Sequence, residues 1–201
     1  IGNGGYPALE FMNGEVKLVG KVDRIDTYTN ANDKYFRVVD YKTGRVDDSL
    51  KGLYSGQKLQ LYLYSKAVNE GEVAGVYYMD LADAYIKDGD KVKPIMVGKT
   101  LATEEVARAT DTSLSVGENG AYFDIGLSAD GSIKNGISKN DLENGIEYAY
   151  RVAEKGIEYM ADGVIVASPV ENACSSCKYF ALCDGAKIER KIGSVTAETI
   201  E

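Results

Sequence analysis

Several residue types and patterns are rare or missing in this chain. It has no histidine, no tryptophan and only three prolines among 201 residues, and it has no low-complexity run, which argues against a linker or a long disordered tail. No apolar stretch reaches about 18 residues, and no charged segment followed by an apolar one opens the chain, so neither membrane insertion nor secretion is indicated. No Walker motif occurs. The composition fits one globular domain over residues 1–201 that can bury a core.

Cysteine is scarce and confined to one segment. The only three cysteines, Cys174, Cys177 and Cys183, form a C-x₂-C-x₅-C pattern inside a motif at 168–185. Three thiols cannot all form disulfide bonds with one another, and a chain of this size can be stable without disulfides. A disulfide framework is therefore not indicated. Crowded thiols suit a soft metal or an iron–sulfur cluster better. Reduced thiols also suggest the cytoplasm.

What the chain does contain is a predicted β-hairpin that carries two carboxylates and a lysine. Apolar residues of period two predict one strand over 15–26, and a run rich in β-branched and aromatic residues predicts a second over 35–42. The polar residues between these strands are typical of a turn. Antiparallel pairing around that turn places Asp23 opposite Asp40, within a residue or two. Asp40 and Lys42 are two apart, so they share a face.

The predicted opposition of Asp23 and Asp40 suggests a bound cation. Two like charges facing each other in a sheet are destabilising unless something lies between them. Mg²⁺ binds one or two carboxylates and completes its shell with waters and phosphate oxygens. Lys42 could orient a water or stabilise charge developing on a phosphate. The trio therefore predicts metal-assisted phosphodiester cleavage, the alternative being a solvated hairpin face.

A helix is predicted directly after the hairpin, over 53–69. Gln57, Gln60 and Tyr64 line one stripe of this helix, and an apolar stripe on another side is expected to be buried. The polar stripe could be plain surface, or it could brace Lys42 or contact a nucleotide backbone.

The rest of the chain predicts further strands and helices around the same sheet. A strand is predicted over 73–81, and a hairpin over 84–97. Two helices are predicted from their N-cap residues, one over 104–111 after Thr103 and one that follows Ser138, runs to about Ala161 and has Met160 among its core positions. Short β or loop segments lie between these two helices.

Three segments together resemble the PD-(D/E)XK nuclease superfamily in its RecB-like branch. They are Gly-Lys-Val-Asp-Arg-Ile-Asp at 20–26, Val-Val-Asp-Tyr-Lys-Thr-Gly at 38–44 and Gly-Gln-Lys-Leu-Gln-Leu-Tyr-Leu-Tyr at 56–64. The resemblance implies an α/β, restriction-endonuclease-like fold with a central mixed sheet flanked by helices.

The same resemblance implies a role for each matching residue. Asp23 and Asp40 would be ligands of Mg²⁺ or Mn²⁺, with the Tyr41 carbonyl as a further metal ligand. Lys42 would be the catalytic lysine. The Gln-x-x-x-Tyr positions, which support the site, would be Gln60 and Tyr64.

The cysteine motif resembles that of AddB-type subunits of bacterial helicase/nuclease complexes and of the related Cas4 nucleases. In both, three C-terminal cysteines and one upstream cysteine hold a 4Fe-4S cluster. The resemblance therefore implies Cys174, Cys177 and Cys183 as cluster ligands and a fourth cysteine before Ile1, in a longer protein of which this chain is a fragment. The roughly 110 positions between Tyr64 and Cys174 favour the AddB type over Cas4.

The AddB resemblance implies a metal-dependent DNA exonuclease domain that acts on single-stranded DNA ends. Its partner would be an AddA-like helicase subunit, in double-strand-break repair and recombination. Two other classes stay open. One is a nuclease-like scaffold that binds DNA ends, and the other is a zinc-binding interaction module centred on the cysteine motif.

The net charge of −8 fits a nucleic-acid-binding domain poorly. Such domains are usually basic, because neutralising phosphates supplies much of their affinity. Either a motor subunit delivers the DNA, or a local basic lip forms near the hairpin. The candidates for that lip are Lys17, Lys21, Arg24, Lys34 and Arg37, with Lys51 and Lys58 as additions.

Overall fold

The computed structural model describes residues 1–2, 5–44, 46, 48–81, 95–164, 169–170 and 173–183. Within these ranges the strands are β1 Leu9–Phe11, β2 Val16–Leu18, β3 Arg24–Thr29, β4 Lys34–Lys42, β5 Glu72–Asp80, β6 Met96–Leu101, β7 Gly126–Leu127, β8 Ile133–Lys134 and β9 Gly136–Ile137. The α-helices are α1 Leu50–Tyr54, α2 Gln60–Val68, α3 Glu104–Thr110 and α4 Lys139–Ala161. Short 3₁₀ turns lie at Met12–Gly14 and Ala173–Ser176.

A mixed sheet of five strands, in the order β3-β4-β5-β6-β9, organises the domain. β3 and β4 form an antiparallel hairpin, β4 pairs parallel with β5, β5 antiparallel with β6, and β6 parallel with β9. Helices flank this sheet, so the expected α/β architecture with a central mixed sheet is confirmed. In the part of the chain that the structure describes, no helix has both the length and the apolar character needed to cross a bilayer.

The two faces of the sheet are covered by different helices because side chains alternate along each strand. On one face, Phe36 and Val38 belong to a core shared with residues of α2 and α4. On the other, Val39 and Tyr77 pack with Ala107 of α3. The site described below lies on the α2 side, at the end of β4.

Both predicted N-caps are confirmed. The Thr103 side chain accepts a hydrogen bond from Val106 N, and the Ser138 side chain accepts one from Asp141 N, so each satisfies a backbone donor that the first turn of a helix leaves open. The long helix ends at Ala161, as expected. Met160 is not a core residue, since it is 71% exposed.

Two predicted elements are interrupted in the structure. The strand expected over 15–26 is divided into β2 and β3. Between them, Gly20 N donates a hydrogen bond to Ile1 O at 3.1 Å and Gly20 O accepts one from Ile1 N at 2.6 Å, so this residue does not pair with a neighbouring strand. The helix expected over 53–69 is divided into α1 and α2. Gly56 adopts a φ of +76° there, which α-helix does not allow, and the N–H groups of Gln57 and Lys58 turn back to Gly52 O.

The strand expected over 73–81 is β5. Most of the hairpin expected over 84–97 lies outside the described residues, and its last part begins β6.

A buried carboxylate holds the loop that follows α3. Asp111 is 2% exposed and accepts hydrogen bonds from the Ser113 hydroxyl at 2.6 Å, Tyr122 N at 2.9 Å and Phe123 N at 3.2 Å. Burial raises the pKa of Asp111, but these hydrogen bonds outweigh it and hold the pKa below its ordinary value. The charged form is therefore the one that stabilises the fold.

Replacing Asp111 with asparagine is expected to lower the free energy of unfolding by about 2 kcal/mol at neutral pH. One carboxylate oxygen then becomes an amide nitrogen, which cannot accept the hydrogen bonds made to that oxygen. A carboxylate with a lowered folded pKa stabilises above its unfolded pKa, about 3.9, and this contribution is lost as pH falls through the folded pKa. The difference in the free energy of unfolding between the original protein and Asp111→Asn should therefore become smaller at low pH. Urea unfolding of both proteins at neutral pH and at about pH 3 measures this difference. An unchanged difference would contradict this account.

Candidate active site

The β3–β4 ladder sets the positions of the two candidate carboxylates. Its last pair is Arg24↔Val39, so the next position along each strand places Asp23 opposite Asp40, in the register predicted from the turn. Asp23 lies just outside β3 and is exposed. Its Oδ2 accepts a hydrogen bond of 2.9 Å from Tyr41 N, which ties this carboxylate to the end of β4.

The segment before Asp23 approaches α2 closely. A Cβ atom added to Gly20 would lie 3.2 Å from Cε1 and 3.3 Å from the hydroxyl of Tyr64. The absence of a side chain at Gly20 thus lets the Asp23 segment lie against the tyrosine ring. This contact gives a physical reason for the glycine three residues before the first carboxylate.

Asp40 is the buried carboxylate of the site, with 3% exposure. Its Oδ1 accepts a hydrogen bond of 2.9 Å from Gln60 Nε2. Its Oδ2 forms an ion pair with the Lys42 ammonium, and this buried oxygen has no hydrogen-bond partner among the described residues. Asp40 Oδ2 therefore keeps acceptor capacity for a further ligand.

Gln60 joins the other members of the site. Its Nε2 donates to Asp40 Oδ1 and, at 3.1 Å, to the Tyr64 hydroxyl, and its Oε1 accepts from Lys42 Nζ at 3.3 Å. Only this orientation of the amide serves all three neighbours. Gln60 can reach β4 because α2 begins at this residue. Gln57, which was expected on the same stripe, lies in the turn before α2 and is exposed.

Lys42 has a neighbour that sequence reasoning missed. Its Nζ lies 5.5 Å from the centroid of the Tyr78 ring. Tyr78 is on β5 in register with Asp40, and it is 5% exposed. The sequence predicts the strand, but the parallel register of β4 and β5, which brings Tyr78 beside Lys42, is a tertiary feature.

The donor set of this site fits Mg²⁺ or Mn²⁺. Mg²⁺ is bound in proteins by one or two carboxylates and keeps several waters for exchange with phosphate oxygens. Asp23 and Asp40 supply two carboxylates, and the buried Asp40 Oδ2 has no hydrogen bond within the part of the chain that the structure describes. Among the described residues, no group of three or more His, Cys, Asp and Glu side chains converges on one point. The carbonyl of Tyr41 stays a prediction as a further ligand.

The three cysteines are not brought together as a metal site. Cys174 is half-buried, whereas Cys177 and Cys183 are exposed, and within the residues that the structure covers they do not form a ligand group. No chemistry is derived from a 4Fe-4S cluster here. The cysteines stay a prediction as cluster ligands.

Part of the expected basic lip is paired with neighbouring carboxylates. Four of its candidates form ion pairs: Lys17 with Glu10 at 2.8 Å, Arg24 with Asp26 at 2.7 Å, Lys34 with Glu70 at 3.1 Å and Arg37 with Asp26 at 2.8 Å. These four side chains therefore share their positive charge with carboxylates of the protein.

Asp26 is the third carboxylate of the hairpin, and it does not belong to the site. Burial raises the pKa of Asp26, but hydrogen bonds from Arg24 and Arg37 outweigh it and hold the pKa below its ordinary value. Along β3 its side chain alternates with those of the residues on either side, so it lies on the sheet face opposite that of Asp40. Asp26 is therefore a matched control for the site carboxylates.

Comparison with known proteins gives a family and a set of relatives. A sequence model of the PD-(D/E)XK nuclease superfamily matches residues 4–184. Relatives from Clostridioides difficile, Thermoanaerobacter sp. and Clostridium novyi, each named as the B subunit of an ATP-dependent helicase/deoxyribonuclease, are 28%, 27% and 29% identical over 90%, 89% and 89% of this chain. The chain spans 18% of the length of each of these relatives. The matched region contains every residue of the site described above.

Proposed function

Because the chain belongs to the PD-(D/E)XK nuclease superfamily, we propose that it hydrolyses DNA phosphodiester bonds at Asp23, Asp40 and Lys42 with the help of a divalent metal ion. The observation that carries this proposal is the arrangement around Asp40. A buried carboxylate oxygen that accepts no hydrogen bond from any described residue lies beside an ammonium group and opposite a second carboxylate. Such a grouping is costly to a fold that does not use it.

Each residue of the site has a distinct role in the proposed reaction. Asp23 and Asp40 hold Mg²⁺ or Mn²⁺, with the Tyr41 carbonyl as a further ligand. When bound, such an ion supplies Lewis-acid stabilisation of the phosphate and activation of water. The Lys42 ammonium positions the attacking water and stabilises negative charge that develops on the phosphate oxygens. Its proximity to Asp40 places it where that charge would form.

Gln60 and Tyr64 keep the charged groups in place. One side of the Gln60 amide donates to Asp40, and the other accepts from Lys42, so a single side chain fixes the relative position of both. The Tyr64 hydroxyl accepts the second N–H of Gln60 and orients the amide. These are positioning residues, because they act on the substrate through Asp40 and Lys42.

The relatives support a wider context for this activity. Their name combines a helicase with a deoxyribonuclease, which favours the AddB-type interpretation over Cas4. In this proposal the chain forms the exonuclease domain of an AddB-type protein. It receives single-stranded ends from an AddA-like helicase partner during double-strand-break repair. Delivery by a motor also accounts for an acidic domain in which four candidates of the basic lip pair with carboxylates.

A cleavage assay tests the proposal directly. End-labelled single-stranded and duplex DNA is incubated with the protein, alone and together with its helicase partner, in Mg²⁺, in Mn²⁺ and in excess chelator. Cleavage that requires the metal ion is the expected result. Equal cleavage in chelator, or no cleavage under any of these conditions, would contradict the proposed function.

Replacing Gln60 with leucine is expected to lower kcat by about 10- to 100-fold, because a small displacement of catalytic groups has effects of this size. KM should change little, since Gln60 acts on Asp40 and Lys42 rather than on DNA. Gln57→Leu is the matched control, because Gln57 is exposed in the turn before α2, and it should retain full activity. Steady-state kinetics on both variants check this expectation. Equal kcat values for Gln60→Leu and Gln57→Leu would show that Gln60 does not position the catalytic groups.

A further inference from the structure

The Lys42 ammonium has three described neighbours of different chemical kinds. They are Asp40 Oδ2, Gln60 Oε1 at 3.3 Å and the ring of Tyr78, whose centroid lies 5.5 Å away. The ring distance is within the range of cation–π attraction, which is stronger where the cation is partly removed from water. Lys42 is half-buried and Tyr78 is buried, so the contact lies in such a place.

The sheet fixes the position of the Tyr78 ring. In the parallel ladder between β4 and β5, Tyr78 is in register with Asp40, and Asp80 with Lys42. Paired residues of neighbouring strands lie on the same face of a sheet. The Tyr78 side chain also belongs to the core that α2 and α4 form with the sheet. The ring is therefore a rigid support beside Lys42, set by the backbone rather than by a flexible side chain.

Two of these contacts, those of Lys42 with Asp40 and with Tyr78, differ in what happens to them when Asp40 becomes a metal ligand. The carboxylate must then share its charge with the metal ion, so its attraction for Lys42 weakens. The face of an aromatic ring offers no oxygen donor, and hard cations such as Mg²⁺ select oxygen ligands. The contact between Lys42 and Tyr78 therefore persists when the ion pair with Asp40 is weakened.

We propose that Tyr78 is a positioning residue that keeps the Lys42 ammonium in the site when Asp40 takes part in metal binding. This inference rests on the proposed function, because it assigns Asp40 as a metal ligand and Lys42 as the catalytic lysine. It adds a residue from a third strand, outside the motifs that predict the site. The ring is the part of Tyr78 that matters in this role.

A pair of variants separates the ring from the rest of the side chain. Tyr78→Phe keeps the aromatic face, and Tyr78→Leu keeps apolar bulk without it. Tyr78→Leu is expected to lower kcat about 10-fold, and Tyr78→Phe should stay within about 2-fold of the original protein. KM and the affinity for Mn²⁺, measured by calorimetry, should be unchanged in both variants, because neither loses a metal ligand.

Tyr148 provides the matched control for loss of a buried tyrosine. It is 8% exposed on α4, where its hydroxyl donates to Tyr54 O at 2.8 Å. Tyr148→Leu should lower thermal stability without lowering kcat. A fall in kcat equal to that of Tyr78→Leu, or a Tyr78→Phe variant as slow as Tyr78→Leu, would overturn the proposal.

Nuclear magnetic resonance gives a readout that does not depend on cleavage. Protons on the Lys42 ε carbon that lie over an aromatic ring are shifted upfield by its ring current, and Lys42→Met identifies their signal by its loss. The upfield shift is expected both with and without Mg²⁺. Tyr78→Phe should keep this shift, and Tyr78→Leu should lose it.

The two readouts distinguish failure of this inference from failure of the proposed function. A ring-current shift that disappears when Mg²⁺ is added, or that is the same in Tyr78→Leu, would overturn the role of Tyr78 even in a protein that cleaves DNA. A protein that cleaves no DNA but shows the expected shifts would contradict the nuclease assignment and leave the Tyr78 contact established.

Discussion

Replacing Lys42 with methionine is expected to lower the rate constant for DNA cleavage by about 10²- to 10³-fold, the usual effect of removing one preorganised charge-stabilising donor. Methionine keeps most of the apolar stem that packs beside Tyr78 and removes only the ammonium group. The Mn²⁺ affinity should stay within about 3-fold, since neither carboxylate is altered. Single-turnover cleavage and calorimetry on the same preparation measure the two effects.

Lys66 offers a matched control for this substitution. It also pairs with a carboxylate, Glu147, at 2.7 Å, and its Nζ lies 5.4 Å from the centroid of the Tyr150 ring. Lys66→Met should therefore reproduce the loss of a surface ion pair and a ring contact without loss of cleavage. If Lys42→Met cleaves as fast as Lys66→Met, the chain is a scaffold that binds DNA ends, and the enzymatic role of Lys42 is wrong.

Replacing Asp40 with asparagine is expected to have an even larger effect on cleavage, at least about 10³-fold. The substitution removes a metal ligand, and metal ions contribute several kcal/mol to the stabilisation of charge in the transition state. The amide of asparagine is nearly the same size as the carboxylate, so the side chain still fits beside Gln60. Cleavage rates over a range of Mn²⁺ concentrations measure the loss.

Asp26→Asn is the control for Asp40→Asn, because Asp26 is on the same hairpin but pairs with Arg24 and Arg37. It should keep its cleavage rate while losing some stability. Full recovery of the Asp40→Asn rate at high Mn²⁺ concentration would show that Asp40 only tunes the affinity. Equal loss in both variants would mean that the hairpin is damaged as a whole and that Asp40 has no special role.

The register of the hairpin could be predicted from sequence because it depends on local chemistry. The polar turn and the alternation of side chains fix the pairing, and the ladder places Asp23 and Asp40 opposite each other as expected. The caps of α3 and α4 could be predicted for the same reason, since Thr103 and Ser138 act on donors within the same turn.

The contacts of the site could be predicted only in part, because they join elements that are distant in sequence. Periodicity places Gln60 on a polar stripe that could be surface or could brace Lys42, and its three hydrogen bonds depend on how α2 packs against β4. The breaks at Gly20 and Gly56 could not be predicted, because each depends on hydrogen-bond partners that the period of apolar residues does not reveal. Tyr78 reaches Lys42 through a parallel register that no local signal encodes.

The most direct measurement of the central claim is calorimetric binding of Mn²⁺ to this protein, to its Asp40→Asn variant and to the Asp26→Asn control. The account expects binding in the unaltered protein and in Asp26→Asn, and no binding in Asp40→Asn. Binding that survives in Asp40→Asn, or binding that is absent from all three, would contradict a metal site between Asp23 and Asp40.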